Sequence, residues 1–411
     1  MMDFSPVEQV IRRIEEGGVV IVVDHEDREN EGDFICAAEK VTPEIVNFMV
    51  TKGRGLFCVG LLPGRARDLR LEPAAAQNTA LMHTQFTVSV DLRTHRSGIS
   101  AAERAATVRA MANTKTRPED LARPGHVNPI IAQEGGVLRR AGHTEASVDL
   151  ARLAGLTPMG ALIEILDDSG EMARRDRLQA IAREHGIPMT SIADLISYRR
   201  RHEKLVHRVA SSKFPTRYGE FQLHGYVVDH ETQEPFAIVI GDLASVEAPL
   251  VRMHSSCFTG DVLGSLRCDC GDQLQMALQR ISDEGVGALV YLPQEGRGIG
   301  LLEKIKAYAL QDEGADTVEA NNILGFRTDM RDYGVGIQIL KDLGLSKVRL
   351  LTNNPKKIES FILYGYDLEV VDQQNLWVEP NVHRAEYIRT KRDRMGHSFP
   401  PDAEDIEEKS R

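Results

Sequence analysis

The sequence runs to 411 residues with a net charge of −11, and 42% of it is hydrophobic. That length predicts two or three domains with ample core-forming residues, and the negative balance argues against a protein that coats nucleic acid. No apolar stretch approaches the roughly 20 residues of a membrane span, and no basic segment followed by an apolar run marks a signal peptide or anchor. Ser5-Pro6-Val7-Glu8 reads as a capping-box start, with Val7, Val10, Ile11 and Ile14 on one helical face that ends at Gly17-Gly18. Residues 19–23 read as a buried strand, 56–62 and 86–90 as further strands, and 100–113 as a helix opened by a Ser100/Glu103 capping box. A helix over 144–154, a strand over 161–166 and a helix over 175–185 that stops at Gly186 complete the first half.

Residues 198–204 (Tyr-Arg-Arg-Arg-His-Glu-Lys) carry little apolar content and read as a short charged linker, or as a solvated helix end. The expected division is one domain over 1–199, a second over 200–398, and a disordered polar tail over 399–411. In the second half, strands are expected over 236–240, 249–252, 288–292 and 348–351, with helices over 273–284, 301–312 and 336–343. Each half therefore predicts a mixed α/β fold of the α+β type, and the two share no repeat.

Five cysteines are present, and Cys257, Cys268 and Cys270 fall within one window. Three thiolates suit a soft tetrahedral ion, zinc above all, and leave a fourth position for water, as catalytic zinc requires. The alternatives are three ordinary buried residues or a partial disulfide set. So few cysteines, clustered in this way, suit a reducing compartment and hence a cytoplasmic protein.

After the first strand, Glu26, Asp27, Glu29, Glu31 and Asp33 crowd around Arg28. Such a loop is either a platform for a hard divalent ion or a solvated acidic turn. Arg140-Ala-Gly-His143-Thr144-Glu145 places an arginine and a hydroxyl at a helix start, where backbone N–H groups favour phosphate. His126 and Glu164 are further acid/base candidates, each with a plain structural alternative. In the second half, Gln294-Glu-Gly-Arg-Gly-Ile-Gly-Leu301 is a glycine-rich turn running into a helix, and Leu351-Thr-Asn-Asn-Pro-Lys-Lys357 follows a strand with hydroxyl, amide and ammonium groups. Both patterns suit phosphate.

Asp27-Arg-Glu-Asn-Glu-Gly-Asp33, Arg123-Pro-Gly-His126 and Arg140-Ala-Gly-His-Thr-Glu-Ala146 together resemble 3,4-dihydroxy-2-butanone 4-phosphate synthase over residues 5–199. That family converts ribulose 5-phosphate to a four-carbon ketone phosphate and formate. The resemblance implies Glu29 and His143 as ligands of Mg²⁺ or Mn²⁺. It also implies Arg28, Glu29, Asp33, Arg140, Ala141, Gly142, His143, Thr144 and Glu164 as sugar-phosphate contacts. His126, Glu164 and Cys58 fall at catalytic positions.

Arg252-Met-His-Ser-Ser-Cys257, Ser265-Leu-Arg-Cys-Asp-Cys-Gly271, Lys306-Ala-Tyr-Ala-Leu310 and Thr317-Val-Glu-Ala-Asn321, with the two phosphate-type loops, resemble GTP cyclohydrolase II over residues 205–397. That family opens the guanine imidazole ring and releases formate and pyrophosphate. The resemblance implies zinc on Cys257, Cys268 and Cys270, and GTP contacts from Arg252, Met253, His254, Ser255, Ser256, Gln273, Glu295, Gly296, Arg297, Thr317, Thr352 and Lys357. Asp329 corresponds to a proton acceptor, Tyr308 to a tyrosine beside the reacting ring, and Arg331 to a nucleophile. A guanidinium that stays protonated suits a phosphate clamp as well. Ser256 stands where many members carry Glu or Gln.

Both reactions feed riboflavin biosynthesis, so the expectation is a bifunctional cytoplasmic enzyme, homodimeric by family likeness, with no nucleic-acid or membrane partner. The rival readings are a cyclohydrolase with a non-catalytic first half, and a zinc-stabilised nucleotide-binding regulator.

Overall fold

A computed structural model describes residues 4–26, 28–326, 331, 333–363, 367–378, 381 and 384–396. Asp27, Asp329 and the tail 399–411 lie outside the described residues. The chain divides into two compact units, Met1–Arg199 and Arg200–Arg411.

In the first unit, strands from across the sequence make one mixed sheet, with Val20–Val23 between Gly32–Ala37 (antiparallel) and Met189–Ser191 (parallel). Alternate residues serve opposite faces, as the pleat demands. Ile21, Phe34, Val59 and Ile163 enter one core, whereas Val22, Ile35, Cys58 and Leu162 enter the other. With both faces covered by helices, these strands read as continuous apolar runs rather than alternating ones. Gly60 and Gly160 face each other in register, and the helix His143–Leu153 presses onto both. A Cβ at Gly60 would stand 2.9 Å from the Thr144 carbonyl, and one at Gly160 would stand 2.6 Å from the Ser147 carbonyl. Two small residues thus let the start of that helix sit directly on the sheet.

Three local expectations need correction. The first helix is Val7–Glu15 and starts at Pro6 without a side-chain cap, because the Ser5 N–H is instead bonded to the Met189 carbonyl (2.7 Å). Residues 86–90 do not make one strand: Gln85–Phe86 and Val90–Leu92 are separate. Both pair with Leu121–Ile131, and opposite the gap lies Pro129, which has no N–H to continue the ladder. The charged segment 198–204 carries the end of the helix Ile192–His202, with Arg201, His202 and Lys204 exposed as a solvated helix end should be. Only Arg199 departs from that reading: it is buried, with Nη1 2.8 Å from Asp149 and 2.6 Å from the Gly135 carbonyl, so it is packed rather than solvated.

The second unit is a seven-stranded mixed sheet in which Lys347–Leu351, Leu250–Ser255 and Gly287–Leu292 run parallel and adjacent. The long antiparallel hairpin Val206–Thr216/Gly219–Val228 extends this sheet through Phe236–Ile240. Parallel neighbours end on the same side, so the loops after residues 255, 292 and 351 leave the sheet together. Ligands of open α/β sheets bind at such carboxyl ends.

Candidate active sites

In the first unit, Asp24, at the end of Val20–Val23, organises the acidic loop. It accepts from the Glu29 N–H (3.0 Å), the Glu31 N–H (2.9 Å) and Arg28 Nη1 (2.9 Å), and Arg28 also bonds Glu29. Asp33 and Glu164 are cross-strand neighbours, and Glu164 Oε2 accepts from the Leu56 N–H (2.8 Å). His143 heads its helix and donates from Nε2 to the Val22 carbonyl (3.1 Å), because a carbonyl can only accept. Its Nδ1 lone pair therefore faces Asp33 Oδ1, 4.0 Å away, a buried oxygen without a hydrogen-bond partner.

Asp24, Glu29 and His143 form one group of convergent ligand atoms, and Glu31, Asp33 and His143 a second. Burial holds His143 neutral, with its pKa lowered to about 4. Burial, followed by Glu29, Asp24 and Glu164, raises Glu31 to about 7, and burial with Glu164 and Glu31 pushes Asp33 well above the carboxylate range. These shifts record carboxylates crowded with too little positive charge nearby. A divalent cation would relieve the crowding, and a histidine whose other nitrogen donates to a backbone carbonyl is oriented as metal ligands are.

The other residues expected here are distributed as follows. Ala141 and Gly142 lead into the His143 helix, with Gly142 as its N-cap, and Thr144 is its second residue. Arg140 bonds Glu145 Oε2 (2.8 Å) and the Met82 carbonyl (3.1 Å), so its charge is already committed. Cys58 is buried in the core, its thiol pushed up by burial and by Glu164 and Asp33, and stays protonated. His126 bonds Asp91 through Nδ1 (2.7 Å) and its own N–H (3.0 Å), and its contacts run to Asp91 rather than to the acidic group. Glu26 pairs with Arg175 (2.8 Å) instead of joining the cluster. Asp24 was not among the expected ligands: it stands just after the strand read over 19–23, and only the folded loop, whose N–H groups turn back onto its carboxylate, brings it beside Glu29 and His143.

In the second unit, the three loops at the carboxyl ends of the parallel strands line one open cleft, together with residues of the helices Leu301–Asp312 and Ala385–Asp393. Of the expected contacts, Arg252, His254, Ser255, Ser256, Gln273, Gly296, Arg297, Tyr308, Thr317, Arg331, Thr352 and Lys357 line it. Among the described residues, seven lysines and arginines and no carboxylate face this space. Arg297 is held with φ +61 in a turn whose neighbour Gly296 has the same φ. Both of its terminal nitrogens are buried without a hydrogen-bond partner. Its guanidinium carbon lies 5.9 Å from the centre of the Tyr387 ring, which leaves the N–H donors themselves for an anionic ligand.

Met253 and Glu295 are placed differently. The Met253 side chain packs in the core, and its carbonyl accepts from Lys357 Nζ (2.6 Å). Glu295 accepts from Lys304 Nζ (2.7 Å) and the Phe258 N–H (2.6 Å). Gln273 bridges Arg252 Nη2 (2.8 Å) and Asp269 (2.7 Å). His254, lowered by burial, has Nε2 3.0 Å from Asp261, which also accepts from Tyr291 OH (2.9 Å).

Cys257, Cys268 and Cys270 converge at the cleft, with Cys257 and Cys268 sulfurs 3.6 Å apart. Two sulfurs bound tetrahedrally at about 2.3 Å to one zinc ion lie about 3.8 Å apart. Gly260 backs the cluster: a Cβ there would stand 2.9 Å from the Cys268 sulfur and 3.1 Å from that of Cys257. Hydrogen bonds from Cys268 and Cys270, with Lys304 alongside, stabilise the Cys257 thiolate. The donor set fits zinc. Sequence reasoning missed Lys304, Tyr387 and Lys391, all of which line the cleft. Lys304 lies two residues before the Lys306–Leu310 motif, whereas Tyr387 and Lys391 sit on a distant helix with no local signal.

A cleft walled by cations, in a chain of negative net charge, marks an enzyme of small phosphorylated molecules rather than a binder of extended polyanions. The family model of 3,4-dihydroxy-2-butanone 4-phosphate synthase matches residues 8–198, and that of GTP cyclohydrolase II matches residues 207–375. A riboflavin biosynthesis protein RibBA of Bacillus cereus is 54% identical over 96% of this chain and 99% of its own, and RibBA of Bacillus cytotoxicus is 52% identical over the same shares. Among solved structures, RibBX of A. baumannii, a two-domain 3,4-dihydroxy-2-butanone 4-phosphate synthase, shares 34% identity with a TM-score of 0.67, covering 90% of this chain and all of that one. The chain belongs to the RibBA family of bifunctional riboflavin biosynthesis enzymes, which join the synthase and the cyclohydrolase. No helix among the described residues is long and apolar enough to cross a membrane.

Proposed function

We propose that each unit turns over its substrate with the residues assembled above. The first takes ribulose 5-phosphate and the second takes GTP. What supports this reading is candidate metal ligands in each unit, two groups sharing His143 in the first and the three cysteines in the second, with a buried polar group lacking a hydrogen-bond partner beside each: Asp33 Oδ1 and the terminal nitrogens of Arg297.

In the synthase unit, Glu29 and His143 hold Mg²⁺ or Mn²⁺, with Asp24, Glu31 and Asp33 close enough to share the ion. When bound, the ion would supply positive charge beside the sugar carbonyl. Asp33, Glu31 and Glu164 are the carboxylates offered for proton transfer on the sugar carbons. The start of the His143 helix and Arg28 receive the phosphate, and His126 with Asp91 and the neutral Cys58 complete the candidate set.

In the cyclohydrolase unit, Cys257, Cys268 and Cys270 would hold zinc, which when bound would supply a Lewis acid for opening the guanine ring. Arg297, Lys357 and Arg331 meet the triphosphate. Ser255, Ser256, Thr317 and Thr352 supply hydroxyls, and Arg252 and Gln273 fix the floor of the cleft. Tyr308, its hydroxyl 3.3 Å from Thr259 Oγ1, stands beside the thiolates at the reacting end. Asp329 takes up a proton, and Arg331 is better used as a clamp than as a nucleophile, since its charge persists at neutral pH. The enzyme works as a cytoplasmic homodimer without nucleic acid or membrane. Its unpaired cysteines suit a reducing compartment.

The test is formate release by the full-length protein from ribulose 5-phosphate with Mg²⁺ and no GTP, beside a Glu29→Ala variant. Wild type should release formate and the variant should not, while both still release it from GTP. A wild-type protein that hydrolyses GTP but makes no formate from the sugar would reduce the first unit to a scaffold.

A further inference from the structure

Lys304 lies on the helix Leu301–Asp312, directly after the glycine turn, with its ammonium group away from solvent. All three N–H bonds of that ammonium are used. They reach Cys257 Sγ at 3.0 Å, Thr259 Oγ1 at 2.9 Å and Glu295 Oε1 at 2.7 Å. Glu295 passes the connection on through its other oxygen to the Phe258 N–H, and Thr259 passes it to the Tyr308 hydroxyl. Cys257 and Glu295 follow two adjacent parallel strands paired at Ser255 and Leu292, and the Phe258 N–H bonds Glu295. Lys304 adds the side-chain link that ties the Cys257 sulfur itself to Glu295.

We propose that Lys304 is a positioning residue of the cyclohydrolase site, locking the metal-binding Cys257, the glycine turn at Glu295 and the Tyr308 hydroxyl into one rigid unit. The inference rests on the assignment of zinc to the three cysteines. Three thiolates on a divalent ion carry a net charge of −1, and a buried ammonium bonded to one of them offsets that charge locally while also pairing with Glu295. A donor on a thiolate withdraws charge from it, so the ion held there stays a stronger Lewis acid. The same ammonium, with the Phe258 N–H, engages both carboxylate oxygens of Glu295, and Glu295 is not among the residues lining the cleft.

The test uses full-length protein with Lys304→Met and Lys304→Arg variants, loaded with zinc for kinetics and with cobalt for absorption spectra. Loss of a group that supports a metal ligand costs about 10- to 100-fold. K304M should therefore lose that factor in kcat for formate release from GTP, keep its zinc, and shift the thiolate-to-cobalt absorption. K304R, which retains charge and donors, should recover part of both. Formate release from ribulose 5-phosphate reports the integrity of the first unit, and zinc content that of the second. A K304M protein with wild-type kcat and an unshifted cobalt spectrum overturns the proposal. So does equal loss in both variants with unshifted spectra, which marks a purely structural lysine. If K304M does not fold, K304R carries the test: a shifted cobalt band with lowered kcat supports the role, and wild-type values for both reject it. A wild type that binds no zinc would instead defeat the metal assignment on which the inference stands.

Discussion

Replacing Gly260 by alanine tests the thiolate cluster with the smallest possible perturbation. Gly260 has no left-handed φ and lies in the short helix Phe258–Asp261, so alanine suits its backbone. Alanine is favoured over glycine in helices by up to about 1 kcal/mol, which on backbone grounds alone predicts a slightly more stable protein. The added Cβ, however, would stand 2.9 Å from the Cys268 sulfur, 3.1 Å from the Cys257 sulfur and 3.2 Å from the Cys270 Cβ. All three cysteines must give way together, and on zinc they have no freedom to do so. Overpacking of this kind costs about 1–3 kcal/mol. If the metal-bound state alone carries that strain, zinc affinity falls roughly 5- to 140-fold at about 1.4 kcal/mol per decade. Competition for zinc against a chromophoric chelator, on the full-length protein, measures it directly. A variant that binds zinc as tightly as wild type, with an unchanged cobalt spectrum, would refute the packing argument and with it the placement of the ion among these sulfurs.

Two further outcomes follow from buried charge and its titration. Lys391 bonds Asp269 at 2.6 Å with both groups buried, so Lys391→Met leaves a carboxylate without its cation. It should cost about 3–5 kcal/mol in chemical denaturation, and a Lys391→Met/Asp269→Asn pair should restore much of that. Asp342 accepts from Lys204 (3.0 Å), Arg208 (2.8 Å) and Tyr226 (3.2 Å). Burial raises its pKa, but the hydrogen bonds and charges of Lys204 and Arg208 prevail and lower it below 3.8. In the unfolded chain it takes its proton first, so this stability is present above that value and lost as pH falls towards the folded pKa. Asp342→Asn should flatten that part of the acid-denaturation curve, and an unchanged acid limb in the variant would exclude Asp342 as its source.

Local chemistry was well marked in the sequence. The helix Ala101–Ala112 begins where Ser100 and Glu103 place it, with Ser100 Oγ accepting the Glu103 N–H (3.2 Å). The helix Arg175–His185 ends at a left-handed Gly186, because its cap uses only neighbouring atoms. The three cysteines and the glycine turn likewise stood out, since thiolate spacing and positive φ restrict residue type at the position itself. The long hairpin Val206–Thr216/Gly219–Val228 carried no comparable signal: its first strand is an edge strand exposed over most of its length, so burial imposed no apolar pattern on it.

What the sequence by itself determined, then, was the set of chemical parts: carboxylates, thiolates, phosphate-type loops and the ends of several elements. Only the tertiary structure decided which parts act together. Parallel pairing of Leu250–Ser255 with Gly287–Leu292 and Lys347–Leu351 brings three distant loops to one rim. Antiparallel register sets Asp33 against Glu164, and paired glycines let the His143 helix reach the acidic loop. Asp24, Lys304 and Lys391 became visible only there, because a side chain buried against residues far away in the chain is chosen by neighbours that sequence order does not reveal.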